Sequence, residues 1–141
     1  MKGAMLASAI AISAVACATA APRNDMSEEA AKKLAGFEPT GEKVNCLGLQ
    51  RVDQIDPLSE NMFLIRSGAD DYYLNEVSGR CSGADSNFNR LQYKTSLSQL
   101  CRGEIITVVD NSSGFTVGSC GLGDFERLRR KAPEADGAEP Q

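Results

Sequence analysis

Histidine is missing from all 141 residues. Without an imidazole the chain has no Ser–His or Cys–His nucleophile pair, and no mixed Cys/His ligand set for zinc. No two cysteines stand as C-x-x-C, so the thioredoxin-type redox motif and the close ligand pairs of structural zinc sites are absent too. Long apolar runs are equally scarce. One extends from Ala4 to Ala16, short of the ~20 residues that span a bilayer, and no second follows. Positive charge is in deficit, with 15 Lys+Arg against 19 Asp+Glu and a net charge of −4. A nucleic-acid surface needs clustered cations to displace counterions, so nucleic acid is not an expected partner. The one basic cluster, "RLRRK" at Arg127–Lys131, reads as a solvated stretch at the end of the domain, with a phosphate-binding patch as the rival reading.

What is present begins with an address. A charged start, the amino group plus Lys2, precedes the Ala4–Ala16 run in the layout of an export signal, residues 1–16. Two processing schemes fit. In one, Ala14-Val15-Ala16-Cys17 is a lipobox, and Cys17 becomes the lipid-carrying first residue. Ala18 is not an inner-membrane retention Asp, so by bacterial lipoprotein rules the tether would lie in the outer membrane. In the other, Ala18-Thr19-Ala20 is an ordinary A-x-A site, the signal is residues 1–20, and the protein is soluble in the periplasm or secreted. Membrane contact is expected through the lipid anchor only. Removing Lys2 with the signal lowers the balance to 14 against 19.

Either scheme takes Cys17 out of the folding arithmetic and leaves Cys46, Cys81, Cys101 and Cys120. An even set in an exported chain reads as two disulfides, with three connectivities open. No metal or other cofactor is expected.

The rest divides into a linker with a short helix (residues 17–42), a disulfide-stabilised β domain (43–128) and a disordered tail (129–141). In "NDMSEEAAKKLAGF", Asp25 or Ser27 can cap a helix whose glutamates and lysines suit its dipole, and Gly36 stops it. Met26, Ala30 and Leu34 recur at helical spacing, which allows either docking on the domain or a weak helix within a tether. From Lys43 onward the texture is strand-like. "KVNCLGLQ" opens it, Met62–Ile65 and Tyr72–Val77 form a hairpin around Ser67–Asp71, and "FNRLQYKT" alternates. "SLSQLC" suggests one helical turn, "GEIITVVD" is the strongest strand, and "FTVGSCGLGDF" returns beside it. Gly118, Gly121 and Gly123 mark bulges or tight bends. The expected fold is mainly β, a small antiparallel barrel or sandwich of five to six strands with two disulfides, preceded by a short helix. A core this small needs its cross-links.

Candidate chemistry is sparse. Asp53, Asp56, Glu60, Asp70, Asp71 and Glu76 cluster in sequence and could form a carboxylate pair for a small hydrolase or lyase, although solvated turn residues are the commoner fate. "DQIDPLSEN" lacks the alternating oxygens and central Gly of an EF-hand, and "GLGDF" lacks the helix and Lys-Ser/Thr of a phosphate loop. Asn111-Ser112-Ser113 matches a glycosylation sequon formally, which means little behind a bacterial lipobox. Tyr72-Tyr73, near Phe63 on the partner strand, is the one aromatic concentration, and reads as core or as an exposed ligand or glycan contact. No catalytic or cofactor-binding residue is assigned, and no enzyme is expected. The partner is expected to be an envelope protein or a small ligand. A ligand carrier would need a barrel interior of roughly 300 Å3 or more.

One set of spacings resembles a known family. Cys46-Leu47-x-Leu49-x-Arg51, Tyr73-Leu74-Asn75, Cys81 with Gly83, Leu100-Cys101-x-Gly103-x-Ile105 and Cys120-x-Leu122-Gly123-x-Phe125 look like a family of small exported bacterial proteins catalogued as a domain of unknown function. The resemblance covers about Val44 to Phe125. It implies a periplasm-facing β-rich module with paired cysteines and no established activity. Relatives that keep only the positions of Cys81 and Cys120 imply the pairs Cys81–Cys120 and Cys46–Cys101.

Overall fold

The computed structural model describes residues 26–132. The export segment 1–16, its alternative 1–20, Cys17 and the chain beyond Ala132 lie outside the described residues.

Helix α1 (Glu28–Ala35) starts where Ser27 accepts a hydrogen bond from the Ala30 N–H at 3.1 Å and stops at Gly36. Glu28 and Glu29 sit in its first turn and Lys32 and Lys33 in its last, each sign matched to the helix dipole. Of its two expected fates the structure takes the docked one. Met26, Ala30 and Leu34 pack with Phe37 against Leu58, Leu64, Tyr72 and Leu128.

Ten strands follow: β1 (Phe37–Val44), β2 (Cys46–Gly48), β3 (Val52–Ser59), β4 (Met62–Ser67), β5 (Asp71–Glu76), β6 (Asn89–Tyr93), β7 (Gln99–Cys101), β8 (Ile105–Asp110), β9 (Thr116–Gly121) and β10 (Phe125–Arg130). They pair antiparallel in a five-stranded sheet ordered β1-β10-β5-β4-β3, a two-stranded β2-β7 and a three-stranded β6-β8-β9. The expected hairpin is present as β4–β5, with Ile65 opposite Tyr73 and Phe63 opposite Asn75.

The expected fold, mainly β with a short helix first and two disulfides, is the one observed; of its barrel and sandwich alternatives no barrel closes, and ten strands among the described residues exceed the expected five to six. "SLSQLC" ends in a strand rather than a helical turn, because the fully buried Leu100 faces Leu47 and Cys101 faces Cys46 across the ladder. The folded part begins before residue 43: Phe37–Glu42, placed in the linker, form most of β1. It also continues past residue 128, since Arg129 and Arg130, placed in the tail, complete β10. Arg130 pairs with Phe37 and Leu128 with Pro39, so each edge segment supplies the other's ladder partners.

Period-two alternation gives the large sheet two apolar faces. Phe63, Ile65, Val77 and Phe125 join Ile106, Val108, Leu122, Leu47 and Leu100 in the main core. Residues on the opposite face, Leu64, Tyr72 and Leu128, form the second cluster under α1 with Leu58. Cys46–Cys101 locks β2 to β7, and Cys81–Cys120 fastens the loop after β5 to β9. Two glycines permit close backbone approach. A Cβ at Gly118 would lie 2.4 Å from the Ser82 carbonyl oxygen, and one at Gly123 would lie 2.1 Å from that of Glu76. Gly121 has no such crowding.

The loops closed by the disulfides span 55 and 39 residues, for which chain entropy alone gives about 4 kcal/mol each. Reduction is therefore expected to lower unfolding stability by about 2–4 kcal/mol per bond, read as a shift of the urea midpoint with and without reductant. An unchanged midpoint would show that the cross-links do not hold the fold. Gly123→Ala is expected to cost about 1–3 kcal/mol by overpacking, and a wild-type melting temperature would contradict the close approach.

Candidate functional site

The acidic residues singled out in the sequence are dispersed, and the better covered ones are committed. Asp56 accepts from Lys33 Nζ at 2.9 Å. Asp71 lies between two arginines, 2.9 Å from Arg51 and 2.9 Å from Arg127. Glu60 accepts from the Gly83 N–H at 2.6 Å and from Arg80 Nε. The Gly83 hydrogen bond holds the Glu60 carboxyl below its usual range, with Arg80 adding to the effect and burial opposing it. Asp53, Asp70 and Glu76 are exposed. Asp110, outside that set, accepts at one oxygen from the hydroxyls and amides of Ser112 and Ser113. The Ser112 hydroxyl first, then the Ser113 amide and hydroxyl, lower its pKa to about 2. These are turn-stabilising and ion-pair geometries. Among the described residues no group of three or more metal-ligating side chains converges.

"RLRRK" faces solvent as expected, with Arg127 half-buried and Arg129, Arg130 and Lys131 exposed, but most of it is strand rather than tail. Arg127, Arg129 and Arg130 belong to β10, an interior strand of the large sheet. Arg127 bonds Asp71 and lies 3.6 Å from Glu42, and the Asp71 contact raises its pKa further. Arg129 grips Glu38 across the β1–β10 ladder, with Nε at 2.8 Å. Alternation sends Arg130 to the opposite face, the one that carries α1. There its guanidinium lies 4.8 Å from the centre of the Tyr72 ring and 5.9 Å from that of Phe37, and it donates to the Tyr72 hydroxyl. The two rings are themselves 4.7 Å apart at 46°.

These side chains border a groove of about 680 Å3 between the C-terminal end of α1 and the large sheet. Phe37, Leu64 and Tyr72 give it an apolar wall, and Lys33, Arg66, Arg130 and Lys131 give it positive charge, with Asp56 the one carboxylate on its lining. Lys33 is taken by Asp56, whereas Arg66, Arg130 and Lys131 make no ion pair among the described residues. Arg66 Nε donates only to the Gly68 carbonyl, at 3.2 Å. A cation stacked on a ring is partly dehydrated and held in place, and it retains free N–H donors for an anion.

The two tyrosines taken together in the sequence separate. Tyr73, half-buried and opposite Ile65, packs against the main core, and Tyr72 joins Phe37 on the other face. Phe37 and Arg66 were missed as site residues, whereas Arg130 belongs to the "RLRRK" cluster, whose rival reading is a phosphate-binding patch. Their meeting required the long-range order β1-β10-β5-β4 of the large sheet.

The pattern of a family of unknown function, DUF6491, matches residues 1–131. The chain belongs to DUF6491. The match takes in both halves of the groove, Lys33 and Phe37 from the N-terminal side and Arg130 and Lys131 from the C-terminal side. No curated protein and no solved structure matches this DUF6491 chain.

The Glu60 geometry carries a pH consequence. Its folded-state pKa lies below the usual 4.5, so its stabilisation is complete above that value and is lost as pH falls through the lower folded value. Glu60→Gln is expected to lower stability at pH 7 by about 1–3 kcal/mol and to flatten the acid limb of the stability curve. The check is urea unfolding from pH 7 to pH 3, and a variant whose acid limb parallels the wild type would remove Glu60 from that role.

Proposed function

We propose that this DUF6491 protein is an exported cell-envelope component, tethered to the outer membrane through a lipid on Cys17, that acts as a non-enzymatic binding module. Two cross-links between cysteines far apart in sequence support passage into an oxidising compartment. Cleavage after Ala20 would give the same module in soluble form.

The ligand, a small molecule or a segment of an envelope protein, presents a carboxylate or phosphate beside an apolar edge. One observation carries this: Arg66, Arg130 and Lys131, without carboxylate partners among the described residues, open on the paired rings of Phe37 and Tyr72. Electrostatics and stacking then act on opposite ends of one bound group. The carboxylate-enzyme reading has less support, because Asp56, Glu60 and Asp71 are each engaged by a cation, and the Gly83 hydrogen bond holds Glu60 below its usual range. A carrier built on a barrel interior has no room, since the facing sides of the sheets are filled by Phe63, Ile65, Ile106, Val108 and Phe125.

Titration of the mature protein with benzoate and with inorganic phosphate tests the groove. Amide shifts are expected at Phe37, Tyr72, Arg130 and Lys131, with benzoate favoured. Arg130→Ala is expected to weaken binding about tenfold, a change of about 1.4 kcal/mol, and Arg129→Ala is expected to leave it unchanged. Shifts scattered over the surface, or insensitive to Arg130→Ala, would remove the groove as the site. Intact mass of the membrane-derived protein, with and without reductant, tests the acyl chain and both cross-links. An unlipidated chain still carrying residues 1–16 would refute the export reading.

A further inference from the structure

A second concavity, of about 580 Å3, lies at the β8–β9 end of the three-stranded sheet and differs from the groove in chemistry. Its apolar lining is Phe88 and Val117. Phe115 stands just outside that lining, its carbonyl bonded to Asp110 of the rim, and Phe88 and Phe115, 79% and 74% exposed, have the largest exposures among the big hydrophobic side chains described. Both rings project from a clamped backbone. The Phe88 amide donates to Ser86 Oγ at 3.3 Å, and its carbonyl accepts from the Asn111 N–H at 3.0 Å. The Phe115 amide donates to Ser113 Oγ at 3.3 Å, and its carbonyl accepts from the Asp110 N–H at 2.9 Å. One turn, Asp110–Ser113, therefore fixes both.

The rest of the lining is polar and nearly uncharged. Ser82, Asn87 and Asn111 belong to it, and Asp110 is its one ionised side chain. Asn87 makes no side-chain hydrogen bond among the described residues, and Asn111 uses only its oxygen, toward Arg90 at 3.1 Å. The amide donors remain available. Gly118 lets β9 touch Ser82, which seats the 82–89 loop beside this hairpin.

Exposed rings on a hydrogen-bonded backbone, combined with unspent amide and hydroxyl groups and little charge, suit a ligand with an apolar C–H face and a rim of hydroxyls. A purely apolar partner would leave the amides unpaired, and an anion would meet Asp110. We propose that this concavity is a carbohydrate-binding site: a neutral saccharide chain stacks a ring on Phe88 or Phe115, and Asn87 and Asn111 donate to its hydroxyl or N-acetyl oxygens.

The test is titration of the mature protein with tri-N-acetylchitotriose and with maltotriose, followed by amide shifts. At least one trisaccharide is expected to shift Asn87, Phe88, Asn111 and Phe115 while leaving Tyr72 and Arg130 unmoved. Phe88→Ala and Phe115→Ala, both at exposed positions, are each expected to weaken binding tenfold or more at an unchanged melting temperature. Asn87→Ala is expected to weaken it less. Failure of both sugars to shift these residues, or binding that survives both phenylalanine substitutions, overturns the proposal. So does phenylalanine-dependent binding to phosphatidylethanolamine–phosphatidylglycerol vesicles without any response to sugar, which would make the tip a membrane wedge.

Discussion

The insertion of β10 between β1 and β5 is the constraint on which the molecule depends. It joins the last described strand to the first and to a strand some fifty residues earlier, so it cannot form until most of the chain is in place. Its register is set at its start. The fully buried Asn75 accepts from the Gly123 N–H at 2.9 Å and donates to the carbonyls of Gly123 and Asp124. A buried amide satisfied this completely specifies one register, because any slip would leave it unpaired. Phe125 then enters the main core and Leu128 the second cluster, and the arginines between and after them meet their carboxylates and rings.

The same strand shows how function-bearing geometry arises as a by-product of packing. Arg127 and Arg129 stabilise the sheet by pairing with Asp71 and Glu38. Arg130 has the same chemistry, but it lies on the face where α1 leaves a gap, and it meets aromatic rings instead of a carboxylate. One step along a strand separates a cation paired within the sheet from one left open to the groove.

Legibility in the sequence followed the range of the interactions. The α1 cap, the β4–β5 hairpin and the β8 strand are local, written in Ser27, in the Ser67–Asp71 turn and in the run Ile105–Asp110, and each could be read directly. The five-stranded sheet could not. β3 carries Asp53, Asp56 and Pro57, which read as a loop, yet an edge strand tolerates a proline and exposed acids. β1 and β10 look polar because their burial is partial and their charges pair with each other. A sheet closed or folded on itself was expected because edges must be hidden and one face buried; no barrel closes, and α1 covers the second face of the large sheet. The cysteine pairs implied by family resemblance, Cys46–Cys101 and Cys81–Cys120, are those found.

The Lys131 N–H donates to the Gly36 carbonyl at 2.9 Å, so the chain enters and leaves the sheet at one corner, beside Phe37 and Arg130. Mechanical load arriving along the N-terminal segment is delivered to that corner. If a ligand is gripped in the groove at the same time, the force passes between two neighbouring points and bypasses the cross-braced interior. On the proposed reading of a lipid tether and a groove-bound ligand, the two attachment points are neighbours, and neither disulfide lies in the strand pair, β1 and β10, that joins them.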